Sequence, residues 1–228
     1  MSNEPLQITA FDFATDHADV DALMRAWVPE IEEAARHHVP DDRFVAFLVA
    51  ALRLGARSKS LDGFNLMQIV EKAGYSRSTF FRLFEGYTGF LIKGYQTVCL
   101  LSARVYSKRL EQREMTVDEF CKFTADVFYG ANCTIPPEII QMLWNEHALP
   151  HAKFHPHLPD VAQAMANYLN SNPPTQHLNL GFDELSDLVR SLDLDLLNAR
   201  LENDPQLGTP RLYMRLRRLL KGYLETPE

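Results

Sequence analysis

A chain of 228 residues with a 46% hydrophobic share has enough apolar material for one large core or two smaller ones, which excludes global disorder. The net charge of −7 argues, taken alone, against a polyanion partner, but the charge is unevenly spread. Arg43 to Arg113 holds 12 Lys and Arg against 4 Asp and Glu, while the rest of the chain holds 11 against 26. A basic block in an acidic chain points to one part that meets a polyanion and another that does not; chance variation of sign along solvated faces is the competing explanation.

The first twenty residues lack a basic start followed by an apolar stretch, so no secretory signal is expected and the chain reads as cytoplasmic. The longest apolar run, Phe44 to Leu52, is too short to span a bilayer, and no membrane partner is expected. Cys99, Cys121 and Cys133 are odd in number and lack C-x-x-C spacing, which fits reduced thiols packed as small hydrophobes.

The pattern is helical nearly throughout, with Pro and Gly falling between periodic segments and no strand-like alternation, so the fold class is all-α. Residues 1–18 read as a polar tail. Two short helical stretches follow, Asp19 to Val28 and Pro29 to Val39, with Pro29 as a first-turn residue of the second. Pro40 closes this extension of residues 1–40. Asp41 or Asp42 then caps a helix running to about Arg57, and Leu61-Asp62-Gly63 forms a turn. Further helices are predicted over 87–111, 116–130, 137–147, 159–171, 182–202 and 209–224. Their breaks are Glu114-Met115, Thr134 to Pro137, His155-Pro156-His157, Asn172 to Pro174 and Asp204-Pro205.

The stretch Phe64 to Leu91 carries the most information. Leu66, Ile69, Val70 and Ala73 lie at i, i+3, i+4 and i+7, one apolar face of a short helix. Gly74 follows where a left-handed residue ends a helix, and Ser76 is a natural N-cap for the next. On that second helix Phe80, Leu83 and Phe84 form one face, and Arg77, Ser78, Phe81 and Arg82 the opposite one. Two short helices joined by a glycine-containing turn, the second cationic outside, fit a helix-turn-helix whose second helix enters the major groove of double-stranded DNA. An ordinary helical hairpin with two outward arginines is the alternative.

The run Ile69 to Phe84, IVEKAGYSRSTFFRLF, resembles the DNA-binding head of TetR-type repressors. In that family a preceding helix, here Arg43 to Gly55, supports the motif, and the resemblance covers about residues 43–91. It implies a three-helix head over 41–91 followed by a helical-bundle effector and dimerisation domain over 92–228. It also implies that Ser76 to Thr79 open the recognition helix, with Arg77, Ser78 and Arg82 facing DNA and Arg43, Lys72 and Lys93 completing the cationic surface. Phe81 falls where the family often has a phosphate-contacting tyrosine, and Tyr87 where it usually has a lysine; both phosphate contacts are altered. The string AGYSRSTFFRLFEGYTGF also resembles the motif of AraC-type regulators. That family normally carries two such motifs, and Val117 to Tyr129 lacks the glycine turn and basic helix a second would need.

In TetR-type proteins the remaining helices build a ligand cavity and a dimer interface. The resemblance therefore implies a largely apolar small-molecule effector held by Phe120, Phe123, Phe128, Tyr129, Met142, Trp144 and His147, against plain core packing as the alternative. It implies a homodimer through two leucine stripes, Leu185, Leu188, Leu192 and Leu196 on one helix and Leu212, Leu216 and Leu219 on the next, against intramolecular burial. His151, His155 and His157 form an H-x3-H-x-H cluster among prolines, read as solvated loop histidines because no cysteine or carboxylate stands at metal-ligand spacing. No cofactor is expected. The chain has no glycine-rich phosphate loop, G-x-S-x-G or H-E-x-x-H, so no enzyme is expected either. The sequence thus leads to a one-component transcriptional regulator, a repressor binding a palindromic operator. A helical interaction protein of the same fold without operator binding is the other reading.

Overall fold

The computed structural model describes residues 20–55, 65–133, 135, 137–147, 154–207 and 209–225, with side chains for all of these but 20–26, 132, 133, 137 and 145–147. The described residues form ten α-helices and one short 3-10 turn, with no strand. They are α1 (Val20–His38), α2 (Asp42–Gly55), α3 (Leu66–Ala73), α4 (Arg77–Phe84), α5 (Tyr87–Glu111) and α6 (Val117–Cys133). The remainder are α7 (Pro137–His147), α8 (Leu158–Ser171), α9 (Phe182–Leu201) and α10 (Pro210–Glu225). No helix among them is long and apolar enough to cross a membrane. The predicted tail and the turn at Leu61 to Gly63 lie outside the described residues.

Local chemistry sets the helix ends. Asp41 Oδ1 accepts from the amides of Arg43 (3.0 Å) and Phe44 (3.3 Å) and so caps α2. Thr116 and Glu119 form a reciprocal capping box at α6: the Thr116 amide donates to Glu119 Oε2 (2.8 Å) and the Glu119 amide to Thr116 Oγ1 (3.3 Å).

One expectation is corrected at the N-terminal end. Pro29 does not start a second helix; it lies inside a single α1. An internal proline removes a helix hydrogen bond and costs about 3 kcal/mol, and tertiary contacts offset that cost. Trp27, Val28, Ile31 and Ala35 are buried. Glu30 receives Arg109 Nε of α5 at 2.7 Å, and Glu32 receives Arg53 of α2 through two bonds of 2.7 and 2.6 Å.

Two helices organise the packing. α5 touches α1, α4, α7 and α8, and α9 touches α6, α7, α8 and α10. α5 runs without interruption through the expected division at residues 91 and 92. The buried side chains form one contiguous cluster from α1 to α10.

Being surrounded on several sides also decides the fate of the leucine stripes. Leu185, Leu188, Leu192, Leu196, Leu212 and Leu216 are wholly buried within one chain, and Leu219 is half-buried. Six of the seven therefore belong to the chain's own core, and only Leu219 keeps part of its surface outward. The outward residues of these helices include Asp187, Arg190, Leu194, Arg211, Met214 and Arg218.

Candidate nucleic-acid interface

The α3–α4 pair is built on two side-chain caps and one left-handed glycine. Asn65 Oδ1 accepts from the Gln68 amide at 3.1 Å and opens α3. Gly74, at φ 74°, ends it and donates its N–H to Glu71 O at 3.1 Å. A residue with a Cβ is disfavoured in that conformation, which is why glycine stands there. Ser76 Oγ accepts from the Thr79 amide at 3.2 Å and opens α4. Ser76 also meets the hydroxyls of Ser78 (2.8 Å) and Thr79 (3.0 Å).

An aromatic cluster fixes the orientation of α4. Phe80 and Phe84 point inward, where Phe80 lies 5.2 Å from Phe47 of α2 and 5.2 Å from Phe90 of α5, and Phe84 lies 5.5 Å from Phe44. Offset and edge-on pairs of this kind add to area burial. Ile69 and Val70 are buried beneath α3. The opposite face of α4 carries Arg77, Ser78, Phe81 and Arg82, all exposed, with Thr79 half-buried at its edge. Lys72 on α3 is exposed beside them, and neither it nor Arg77 or Arg82 is paired with a carboxylate among the described residues.

The exit from α4 is tight. Glu85 is left-handed (φ 55°) and Gly86 follows at φ 133°. A Cβ on Gly89 would lie 2.1 Å from Phe84 O, so only glycine fits where the first turn of α5 crosses the end of α4.

The other expected DNA-facing residues are differently engaged. Arg43 forks onto Asp41 with two bonds of 3.1 and 3.0 Å, and this partner holds the Asp41 carboxyl down at about 2. Its charge is thus already matched by a carboxylate. The Lys93 ammonium is exposed and stands 4.8 Å from the Phe44 ring and 5.9 Å from Phe84, a cation–π seat at the edge of the pair. Tyr87 is half-buried, and burial pushes its phenol up to about 12, so it keeps its proton near neutral pH.

Among the described residues, the expected ligand residues pack against neighbouring side chains and backbone. Phe120 stacks on Tyr168 (5.6 Å, 9°) and Phe123 on Tyr106 (5.6 Å, 14°), and Phe128 lies edge-on to Tyr106 at 6.4 Å. Tyr129 donates its hydroxyl to Thr209 O at 2.9 Å. Trp144 is edge-on to Phe154 at 5.4 Å, Met142 is half-buried, and the His147 side chain lies outside the described residues. An apolar cleft of about 60 Å³ opens elsewhere, between α2, α5 and α7; Leu48, Leu52, Leu91, Tyr95, Val98 and Ile139 line it, and none of the expected residues does.

Sequence reading misses a buried polar chain next to that cleft. Tyr95 of α5 meets His155 Nε2, and His155 Nδ1 meets Asp193 of α9. All three are buried. Tyr95 donating to Nε2 and Nδ1–H donating to the carboxylate satisfies each group. Burial pushes the Tyr95 phenol well above its usual range, and the Cys99 thiol beside it up to about 12, so neither is a ready nucleophile. His155 is therefore not the solvated loop residue expected. His157 lies with its ring 5.7 Å from that of His155, and His151 lies outside the described residues. No group of three metal-ligating side chains occurs among the described residues.

Compared with protein-family models, with curated proteins and with solved structures, the chain matches none.

Proposed function

We propose that the chain is a transcriptional regulator of the TetR type, in which α2 to α4 form a helix-turn-helix head and α4 enters the major groove of a palindromic operator. The observation that carries this reading is the two-faced α4. Phe80 and Phe84 anchor it inward, while Arg77, Ser78 and Arg82 stand outward without carboxylate partners among the described residues, at a helix start with free amides. The rest of the chain is then the responsive part. A small, largely apolar effector has an entry in the cleft between α2, α5 and α7, where occupancy alters how α2 seats on α5 and so biases the head. Homodimerisation uses the outward face of α9 and α10. On α9 Leu194 is exposed with Asp187 and Arg190, and on α10 Met214 is exposed with Arg211 and Arg218, apolar and charged groups suited to a two-fold contact.

A helical interaction protein without operator binding is the second reading. The Arg43–Asp41 pair and the missing hydroxyl at Phe81 favour it, because both reduce attraction for phosphate.

A salt titration of duplex binding separates the two. The expected result is an affinity that falls steeply and linearly on a log–log plot as salt rises. Arg77→Ala and Arg82→Ala should each weaken binding by about 1–3 kcal/mol, with circular dichroism and melting temperature unchanged. Salt-independent or undetectable binding rejects the regulator.

A further inference from the structure

Phe81 occupies the centre of the outward face of α4. Arg77 and Ser78 lie one turn before it, Arg82 beside it and Glu85 one turn after it. The side chain is 47% exposed. Its ring is held edge-on against Phe80, with centroids 5.8 Å apart and planes at 84°, and Phe80 is itself locked between Phe47 and Phe90. Phe81 is thus a stiff apolar projection flanked by two cations.

A phenyl ring neither donates to nor accepts from a phosphate oxygen, so it adds nothing to attraction for the nucleic-acid backbone. The bases present one apolar substituent in the major groove, the C5-methyl of thymine. Arg77 and Arg82, on either side, match phosphate oxygens or the acceptor edge of guanine. The ring between them matches the methyl.

We propose that Phe81 is a specificity-determining residue that reads thymine C5-methyl groups in the major groove. This rests on the DNA-binding reading above and names the base chemistry that the same face selects. Substituting tyrosine for the ring trades methyl contact against a polar tip, and leucine keeps an apolar tip of smaller area.

The test starts from random duplexes selected for binding to the full chain. The best binder is remade with each thymine in turn replaced by deoxyuridine, which removes the C5-methyl and leaves every hydrogen-bonding group in place. The expected result is a loss on the order of three- to tenfold at one or two thymines of each half-site. Phe81→Ala should bind the thymine duplex more weakly by a similar factor and be indifferent to the replacement. Arg77→Ala should bind more weakly yet keep the discrimination. If Phe81→Ala loses its helical signal, Phe81→Leu takes its place, with discrimination reduced rather than abolished. A parent protein that binds thymine and uracil duplexes equally at every position overturns the proposal and leaves the DNA reading standing. If selection enriches no duplex, the DNA reading fails and this proposal falls with it.

Discussion

Two helix pairs in this molecule use the same apolar spacing for different ends. In α9 and α10 the stripe from Leu185 to Leu216 is sealed within the chain by α6, α7 and α8. In α3 and α4 the buried side chains are few, Ile69, Val70, Phe80 and Phe84, and they depend on Phe44 and Phe47 of α2 and Phe90 of α5 for a core. The first pair spends its sequence on the interior; the second keeps a whole face free. An apolar repeat therefore marks where a helix is held, and the residues opposite the repeat mark what it meets.

The sharpest break of that contrast compares two leucines on α9. Leu192 is wholly buried and Leu194, two residues on, is 38% exposed. Leu192→Ala should lower stability by about 2–5 kcal/mol in urea unfolding, and Leu194→Ala by no more than about 0.5 kcal/mol. Leu194→Glu combined with Met214→Glu should keep the fold and convert the proposed dimer to a monomer in sedimentation. Equal stabilities for the two alanine variants would erase the distinction between a sealed and a free face.

A second test addresses the corner that sets the direction of α4. Gly89→Ala forces a Cβ against the Phe84 carbonyl and should destabilise by about 1–3 kcal/mol, with duplex binding impaired in the folded fraction as well. Gly94→Ala is the control, since its Cβ would lie at an ordinary 3.6 Å from Leu48 Cδ1. A Gly89→Ala protein that melts and binds like the parent would mean that the corner is yielding and that the aromatic cluster alone orients α4.

The smallest effect concerns how α10 seats on α6. Burial pushes Asp126 of α6 up to about 7 from its ordinary 3.8, beside Tyr213 of α10. The folded state thus holds a proton that the unfolded chain releases near pH 4. The associated stability is full below pH 4 and is lost as pH rises to 7. Asp126→Asn should match the parent at pH 4 and exceed it by a few degrees of melting temperature at pH 8. Parallel pH profiles would show that Asp126 ionises freely in the fold.

What was legible in the sequence was local. The Ser76 cap, the left-handed Gly74 and the division of α4 into Phe80–Phe84 and Arg77–Arg82 faces follow from residues within a turn of each other. The helix ends at 87, 111, 137 and 147 follow from nearby breaks. What was illegible depends on distant partners. His155 sits between prolines and reads as loop, because Tyr95 and Asp193 lie 60 and 38 residues away. Pro29 reads as a helix start, because nothing nearby reveals that Arg109 and Arg53 secure the helix just after it, at Glu30 and Glu32. Periodicity reports that Leu188 and Leu216 are covered, and it is silent on whether their own chain or a second copy does the covering. Aromatic density from Phe120 to Trp144 likewise signals burial equally well whether the rings enclose a cavity or stack on Tyr106 and Tyr168.

The two ion pairs of α1 have a consequence for how the chain is made. Arg53, the partner of Glu32, follows it by 21 residues, but Arg109, the partner of Glu30, follows by 79. At a synthesis rate of about 5–20 residues per second, α1 leaves the ribosome on the order of 4–16 s before the segment of α5 that neutralises Glu30. Through that interval the apolar stripe of Trp27, Ile31 and Ala35 has only α2 to cover it, on a helix that carries a proline inside it. α1 thus gains its full native cover only once α5 and α6 have followed it, and until then chaperones or neighbouring chains would find something there to hold.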